Sequence, residues 1–250
     1  MSAPGTPALL LRGATLLTMD PVLGDIADGD VRIRDGRIEA VGRSLPEQPG
    51  DDVVDAQGML ALPGLIDTHT HMWQGPLKGL GAAMWGMADY HKHIFSLRER
   101  LSAQDMHDPA FATGVEMLDN GITTVADFCH NVMSQEHAQR AIDAHRKTGQ
   151  RVLFCYGMLG NFKTLEADHE WRLAQVRRLA AEMDASSDAL VRLGMALGSL
   201  EYVGLPMFES EAKTARELGL RLTFHLNVAG QIHVLDAAGL LVADLLPVHC

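Results

Sequence analysis

The chain has 250 residues, 47% of them hydrophobic, and a formal net charge of -11, which gives ample apolar side chain for a sizeable core in an acidic protein. That charge and the lack of basic clusters exclude nucleic acid as the expected partner, and no apolar run approaches the ~20 residues a membrane span takes. The three cysteines, Cys129, Cys155 and Cys250, are odd in number and widely spaced, which argues against a disulfide framework or a thiolate zinc site and for a reducing, cytoplasmic setting.

Residues 1–12 hold only a short apolar stretch before Arg12, too short for a secretory leader. Leu9-Leu10-Leu11 and Thr15-Leu16-Leu17-Thr18-Met19 read as strands, followed by the turn-rich Asp20-Pro21 and Asp28-Gly29-Asp30. Val31 to Arg34 and Arg37 to Gly42 alternate in polarity and are joined by Asp35-Gly36, a strong hairpin signal.

Leu62-Pro63-Gly64-Leu65-Ile66 then reads as the start of a short buried strand that ends in His69-Thr70-His71. Side chains on a strand repeat every two residues, so His69 and His71 leave on one face and can bind one ion together. His91 and His93 have the same spacing, but in a stretch that reads as helix. There they point to nearly opposite sides and are expected to be ordinary solvated or interface histidines.

From there helix-like and strand-like segments alternate, which argues for a parallel α/β architecture. A helix stopping at Asn120-Gly121 precedes the strand Ile122 to Phe128, and the amphipathic Glu136 to Lys147 precedes Arg151 to Gly157. Glu170 to Met183 reads as a helix before the strand Leu190 to Leu197, and Glu209 to Leu218 as one before Arg221 to His225. A helix from Ile232 to Ala238 leads into a sixth strand, Asp244 to Cys250.

Pro63-Gly64-Leu65-Ile66-Asp67-Thr68-His69-Thr70-His71 resembles the first-strand signature of the amidohydrolase superfamily, metal-dependent hydrolases built on a (β/α)8 barrel. The likeness is strongest to the cytosine-deaminase-like and triazine-chlorohydrolase-like branch, through His71-Met72-Trp73-Gln74 and Gly79-Leu80. It implies an α/β fold: a small N-terminal β-sandwich over residues 1–60 and a TIM-type barrel over 61–250. Eight barrel units take ~250 residues, so the residues after Ala61 supply about six. The expectation is therefore an incomplete barrel with open edges at its first and sixth strands: a fragment, a frameshifted product, or one piece of a split or swapped assembly.

Barrel enzymes carry functional residues at the C-terminal ends of their strands. There the resemblance implies that His69, His71 and His225 hold one divalent metal ion, zinc first and iron second, with an open position for water. It implies His249 as the catalytic residue beside that water. The fourth strand has no lysine to bridge two metals, and Glu201 reads as a solvated loop carboxylate. Trp73, Gln74, His130 and Asn227 are candidate substrate-binding residues, while Met84, Trp85 and Met87 are expected to pack a lid helix or a dimer surface.

The chain departs from the family pattern at two places. It shows no counterpart of the aspartate at the end of strand eight, and Val228 stands where the branch usually has a glutamate, three residues after the fifth-strand histidine. The function implied is hydrolysis by metal-activated water of a C–N bond in a small heterocyclic substrate: an amide, a cyclic amidine or a ring substituent. The alternative is a truncated, inactive chain; assembly into a homo-oligomer stays open.

Overall fold

The computed structural model describes residues 7–185 and 190–249. Residues 1–6 and Cys250, the latter read above as the close of the sixth strand, lie outside them. The chain divides into two compact units, Met1–Gly64 and Leu65–Cys250.

The first unit is a sheet of β1 (Leu9–Leu16), β2 (Ile26–Arg34), β3 (Arg37–Gly42), β4 (Asp52–Asp55) and β5 (Leu60–Ala61). Its order is β3-β2-β1-β4, with β5 also on β1; β1 runs antiparallel to β2 and parallel to β4 and β5. Among the described residues the expected sandwich is thus a single five-stranded sheet. The two strands read near the N-terminus are one. At Gly13 the ladder shifts register, the backbone turns to φ +79°, and the amide donates to Asp30 Oδ1 at 2.9 Å, so β1 passes through without breaking. The β2–β3 hairpin closes through Asp35 and Gly36, both at positive φ (50° and 71°), the geometry a two-residue primed turn requires.

The second unit holds six parallel strands: β6 (Leu65–Thr70), β7 (Ile122–Cys129), β8 (Arg151–Gly157), β9 (Val191–Ala196), β10 (Arg221–His225) and β11 (Leu245–Val248), in sequence order across the sheet. Each next pair is joined through a helix, the layout of an incomplete (β/α) barrel. The helices are α1 (Met87–His93) and α2 (Gln104–Asp119) after β6, then α3 (Gln135–Thr148), α4 (Leu165–Asp184), α5 (Leu200–Glu217) and α6 (Gln231–Ala237).

Local chemistry sets these boundaries. The Ser134 hydroxyl caps α3 by accepting the His137 amide, and Gly149 closes it at φ +70°. Helices α4 and α5 start earlier than the sequence suggested. In α5 the path breaks at Gly204 (φ 68°, ψ 168°), just before Pro206, whose ring cannot sit inside a regular turn.

The core lies between sheet and helices, around Phe154, Phe208, Phe224, Met106 and Ile142, all essentially inaccessible. Burying each such side chain contributes about 1.5 to 3 kcal/mol. By contrast Leu65 and Ile66, read as part of a buried strand, are 53% and 67% exposed. Strand β6 is paired on one side only, to β7.

Candidate metal centre

The C-terminal ends of β6, β7, β10 and β11 converge on one rim. His69 lies on β6; His71 follows it and opens a 3-10 helix, Met72–Leu77. The backbone there is held by a buried carboxylate. Asp127 of β7 accepts the Met72 amide on Oδ1 at 3.1 Å and meets His145 Nε2 of α3 with Oδ2 at 2.9 Å. Asp127 is 1% and His145 0% exposed.

His69, His71 and His225 each bring one ring nitrogen within 4.8 Å of the others, and His69 Nε2 lies 3.3 Å from His225 Nε2. A carbonyl oxygen can only accept, so the 2.7 Å contact of His71 Nδ1 with the Phe128 carbonyl fixes the proton on Nδ1 and leaves the Nε2 lone pair free. Burial pushes the imidazoles below the ordinary histidine value. It takes His69 down to about 4, helped by His71 and His249, and His225 down to about 2, helped by His71 and His69. His71 falls for the same first reason, with the Phe128 carbonyl and Asp127 acting against it. Neutral imidazoles with converging lone pairs repel one another unless a cation sits among them, and three of them form a donor set suited to zinc or another late divalent ion.

His249 joins this rim, its ring stacked on His225 (centroids 5.2 Å apart, 5° between planes) and 5.5 Å from His69. It sits at φ +70°, so its backbone adopts the left-handed conformation.

Beside the three nitrogens lies a cavity of about 270 Å3. Gln74, His130, Asn227 and His249, all singled out in the sequence, line it, as do His71 and His225. Trp73 does not. It is 2% exposed and packs in the core, its indole N–H directed at His130 Nδ1 at 3.3 Å. The tight turn of the 3-10 helix sends Met72 and Trp73 inward while Gln74 faces the cavity.

Two further expectations change. His91 is no bystander: it lines the cavity, and its Nε2 lies 3.0 Å from the Tyr202 hydroxyl. Met87 lines the cavity too, whereas Trp85 is 94% exposed. Glu201 stands apart from the three-histidine cluster, accepting from Asn227 Nδ2 at 3.0 Å and Gln231 Nε2 at 2.9 Å.

Sequence reasoning passed over Tyr90, Phe95 and Tyr202, which complete an aromatic wall. A Tyr-His pair in the long loop after the metal pair was the only signal available. Tyr90 is held protonated by burial.

Residues 60–244 match the model of the Amidohydrolase family. The chain is 27% identical to a 5'-deoxyadenosine deaminase of Methanosarcina acetivorans, covering 97% of this chain and 57% of the relative. It is 28% identical, with the same coverages, to a 5-methylthioadenosine/S-adenosylhomocysteine deaminase of Desulforamulus reducens. The chain thus spans a little over half the length of these curated relatives.

Among solved structures, a triazine hydrolase from Arthrobacter aurescens is similar with a TM-score of 0.73 and 25% identity, over 92% of this chain and 55% of that one. An adenosine deaminase from Xanthomonas campestris with bound zinc shares the fold at TM-score 0.71 and 20% identity, over 99% of this chain and 58% of that one.

Proposed function

The chain belongs to the amidohydrolase family, and from that premise we propose that its histidine rim holds one divalent metal ion, zinc, and serves hydrolysis of a C–N bond in a small heterocyclic substrate. The observation that carries this is the convergence of His69, His71 and His225, each with a ring nitrogen within 4.8 Å of the others, at the wall of a cavity sized for such a ligand.

His69, His71 and His225 would hold the ion through neutral imidazoles, and the buried Asp127 keeps the backbone between His71 and Met72 in place for it. A bound divalent ion supplies Lewis acidity, lowering the pKa of water to about 7. His249, on the same rim, would accept and return a proton at its ring nitrogen, the task otherwise left open by Val228 at the position of the branch's usual glutamate. Gln74, His130 and Asn227 would orient the substrate by hydrogen bonds, while Phe95 and Phe128 exclude water from the ring face. The relatives named for deamination of adenine nucleosides and the triazine hydrolase support a flat nitrogen heterocycle as the substrate class. Two buried free cysteines, Cys129 and Cys155, fit a reducing compartment, and among the described residues no helix is long and apolar enough to cross a membrane.

The test is metal analysis after dialysis with zinc, followed by assay for ammonia release from a panel of aminopyrimidines, aminotriazines and cyclic amides. One zinc per chain and turnover of at least one compound are expected, both lost in a His69→Ala/His71→Ala double variant. Zinc retained at full stoichiometry by that variant refutes the assignment.

A further inference from the structure

We propose that the Tyr90 hydroxyl is a substrate-orienting donor, presenting its proton to a ring nitrogen or carbonyl oxygen of an uncharged, flat heterocycle. The proposal deepens the reading of this cavity as a hydrolase site and rests on it for the nature of the ligand. The direction of the proton follows from the hydrogen bonds alone.

An indole N–H can only donate, and that of buried Trp73 points at His130 Nδ1, 3.3 Å away. The other neighbour of that nitrogen is the Phe128 carbonyl, also at 3.3 Å. Its two lone pairs are already taken, by His71 Nδ1 at 2.7 Å and by the His130 amide at 3.0 Å. His130 Nδ1 is therefore the acceptor of the Trp73 proton, and a ring that accepts at Nδ1 carries its own proton on Nε2. That Nε2 lies 3.4 Å from the Tyr90 oxygen, which also receives the Gln74 side-chain amide at 2.7 Å. Two donors occupy the two lone pairs of the phenol oxygen. Among the described residues its proton has no acceptor, and Tyr90, Gln74 and His130 all border the cavity.

The rest of the wall narrows the ligand. Among the described residues no Asp, Glu, Lys or Arg lines the cavity, so away from the proposed metal ion a charged group would lose its water without gaining a countercharge. Phe95, Phe128 and Tyr202 offer aromatic faces to a planar ring. A neutral heteroarene with an acceptor edge toward Tyr90 meets both conditions.

The experiment compares two probes of one shape, 4-aminopyrimidine with ring-nitrogen acceptors and aniline without them, by calorimetric titration at mildly alkaline pH where both are neutral. It uses wild type and Tyr90→Phe, each zinc-loaded and zinc-free. Wild type should favour 4-aminopyrimidine, and Tyr90→Phe should reduce that preference about fivefold to tenfold, the worth of one neutral hydrogen bond, with aniline binding and zinc content unchanged. In parallel, 15N spectra of histidine-labelled protein should show the His130 proton on Nε2.

A preference unaltered in a folded Tyr90→Phe variant, wild-type binding of neither probe, or a His130 proton on Nδ1 would each overturn the proposal. Failure to take up zinc defeats the metal reading instead, and the zinc-free comparison then decides for or against Tyr90.

Discussion

Replacing Asp127 by alanine should cost about 3 to 5 kcal/mol of folding stability, although the residue does not line the histidine cavity. The carboxylate is 1% exposed and serves two buried partners, the Met72 amide at 3.1 Å and His145 Nε2 at 2.9 Å. Alanine strands both, each at about 1 to 3 kcal/mol, and breaking a buried polar pair by removing one member costs about 3 to 5 kcal/mol. Among the described residues His145 Nδ1 has no hydrogen-bond partner, so the ring has no second anchor there to fall back on. Asp127→Asn keeps an acceptor for the Met72 amide and an amide group facing His145 Nε2, and should cost only about 1 kcal/mol. Urea unfolding of the zinc-free protein, followed by far-UV circular dichroism with a common slope, measures both. Zinc affinity by chelator competition should fall about 10-fold to 100-fold in the alanine variant, because the backbone that aims His71 loses its anchor. An alanine variant within about 1 kcal/mol of wild type, or an asparagine variant as damaged as alanine, refutes this account of Asp127.

Gly157→Ala should destabilise by about 1 to 3 kcal/mol and disturb the His130 loop. A methyl there would lie 2.5 Å from both the Cys129 carbonyl oxygen and His130 Cα, backbone atoms that cannot rotate aside, and a urea midpoint equal to wild type would contradict it. Acid should weaken the zinc-free protein before its carboxylates titrate. Folded His69 and His225 have values near 4 and 2 against an ordinary 6.5, so between these limits the unfolded chain binds more protons. Stability therefore rises with pH across that window and is lost as pH falls from 6.5. His225→Phe should flatten the slope of urea midpoint against pH, and equal slopes would count against the burial argument. The Arg216–Asp244 pair, 2.9 Å apart with side chains 32% and 42% exposed, should contribute less than about 1 kcal/mol in a double-mutant cycle and fade with salt.

The strands of the barrel and the histidines at their ends were legible because both follow from local periodicity. His69 and His71 share a face for the reason that any i, i+2 pair on a strand does, and the structure keeps them together with His225, 156 residues from His69. The Asp35-Gly36 hairpin was equally local. What could not be read is whatever depends on a third element. Asp127 and His145 are 18 residues apart on a strand and a helix, and nothing in either segment marks the other. Gly13 carries β1 through a register shift only because Asp30, on the neighbouring strand, receives its amide.

The segment between β6 and α2 shows this limit most plainly, and it is where the cavity takes its character. Proximity in sequence to the metal pair made Trp73 look like a substrate contact, but direction in a 3-10 helix is set by three residues per turn, and that period turns Trp73 to the core and Gln74 to the opening. Helical spacing correctly put His91 and His93 on different faces of α1 without telling which face would be covered. The answer lies in residues far along the chain: Phe162 stacks on His91 with centroids 5.8 Å apart, and Tyr202 bonds it at 3.0 Å. The shared face of His69 and His71 thus follows from strand periodicity, while the cavity wall depends on how a loop folds onto distant side chains. Substitutions at Tyr90, His91 or Tyr202 should accordingly shift ligand preference while leaving the three-histidine geometry intact.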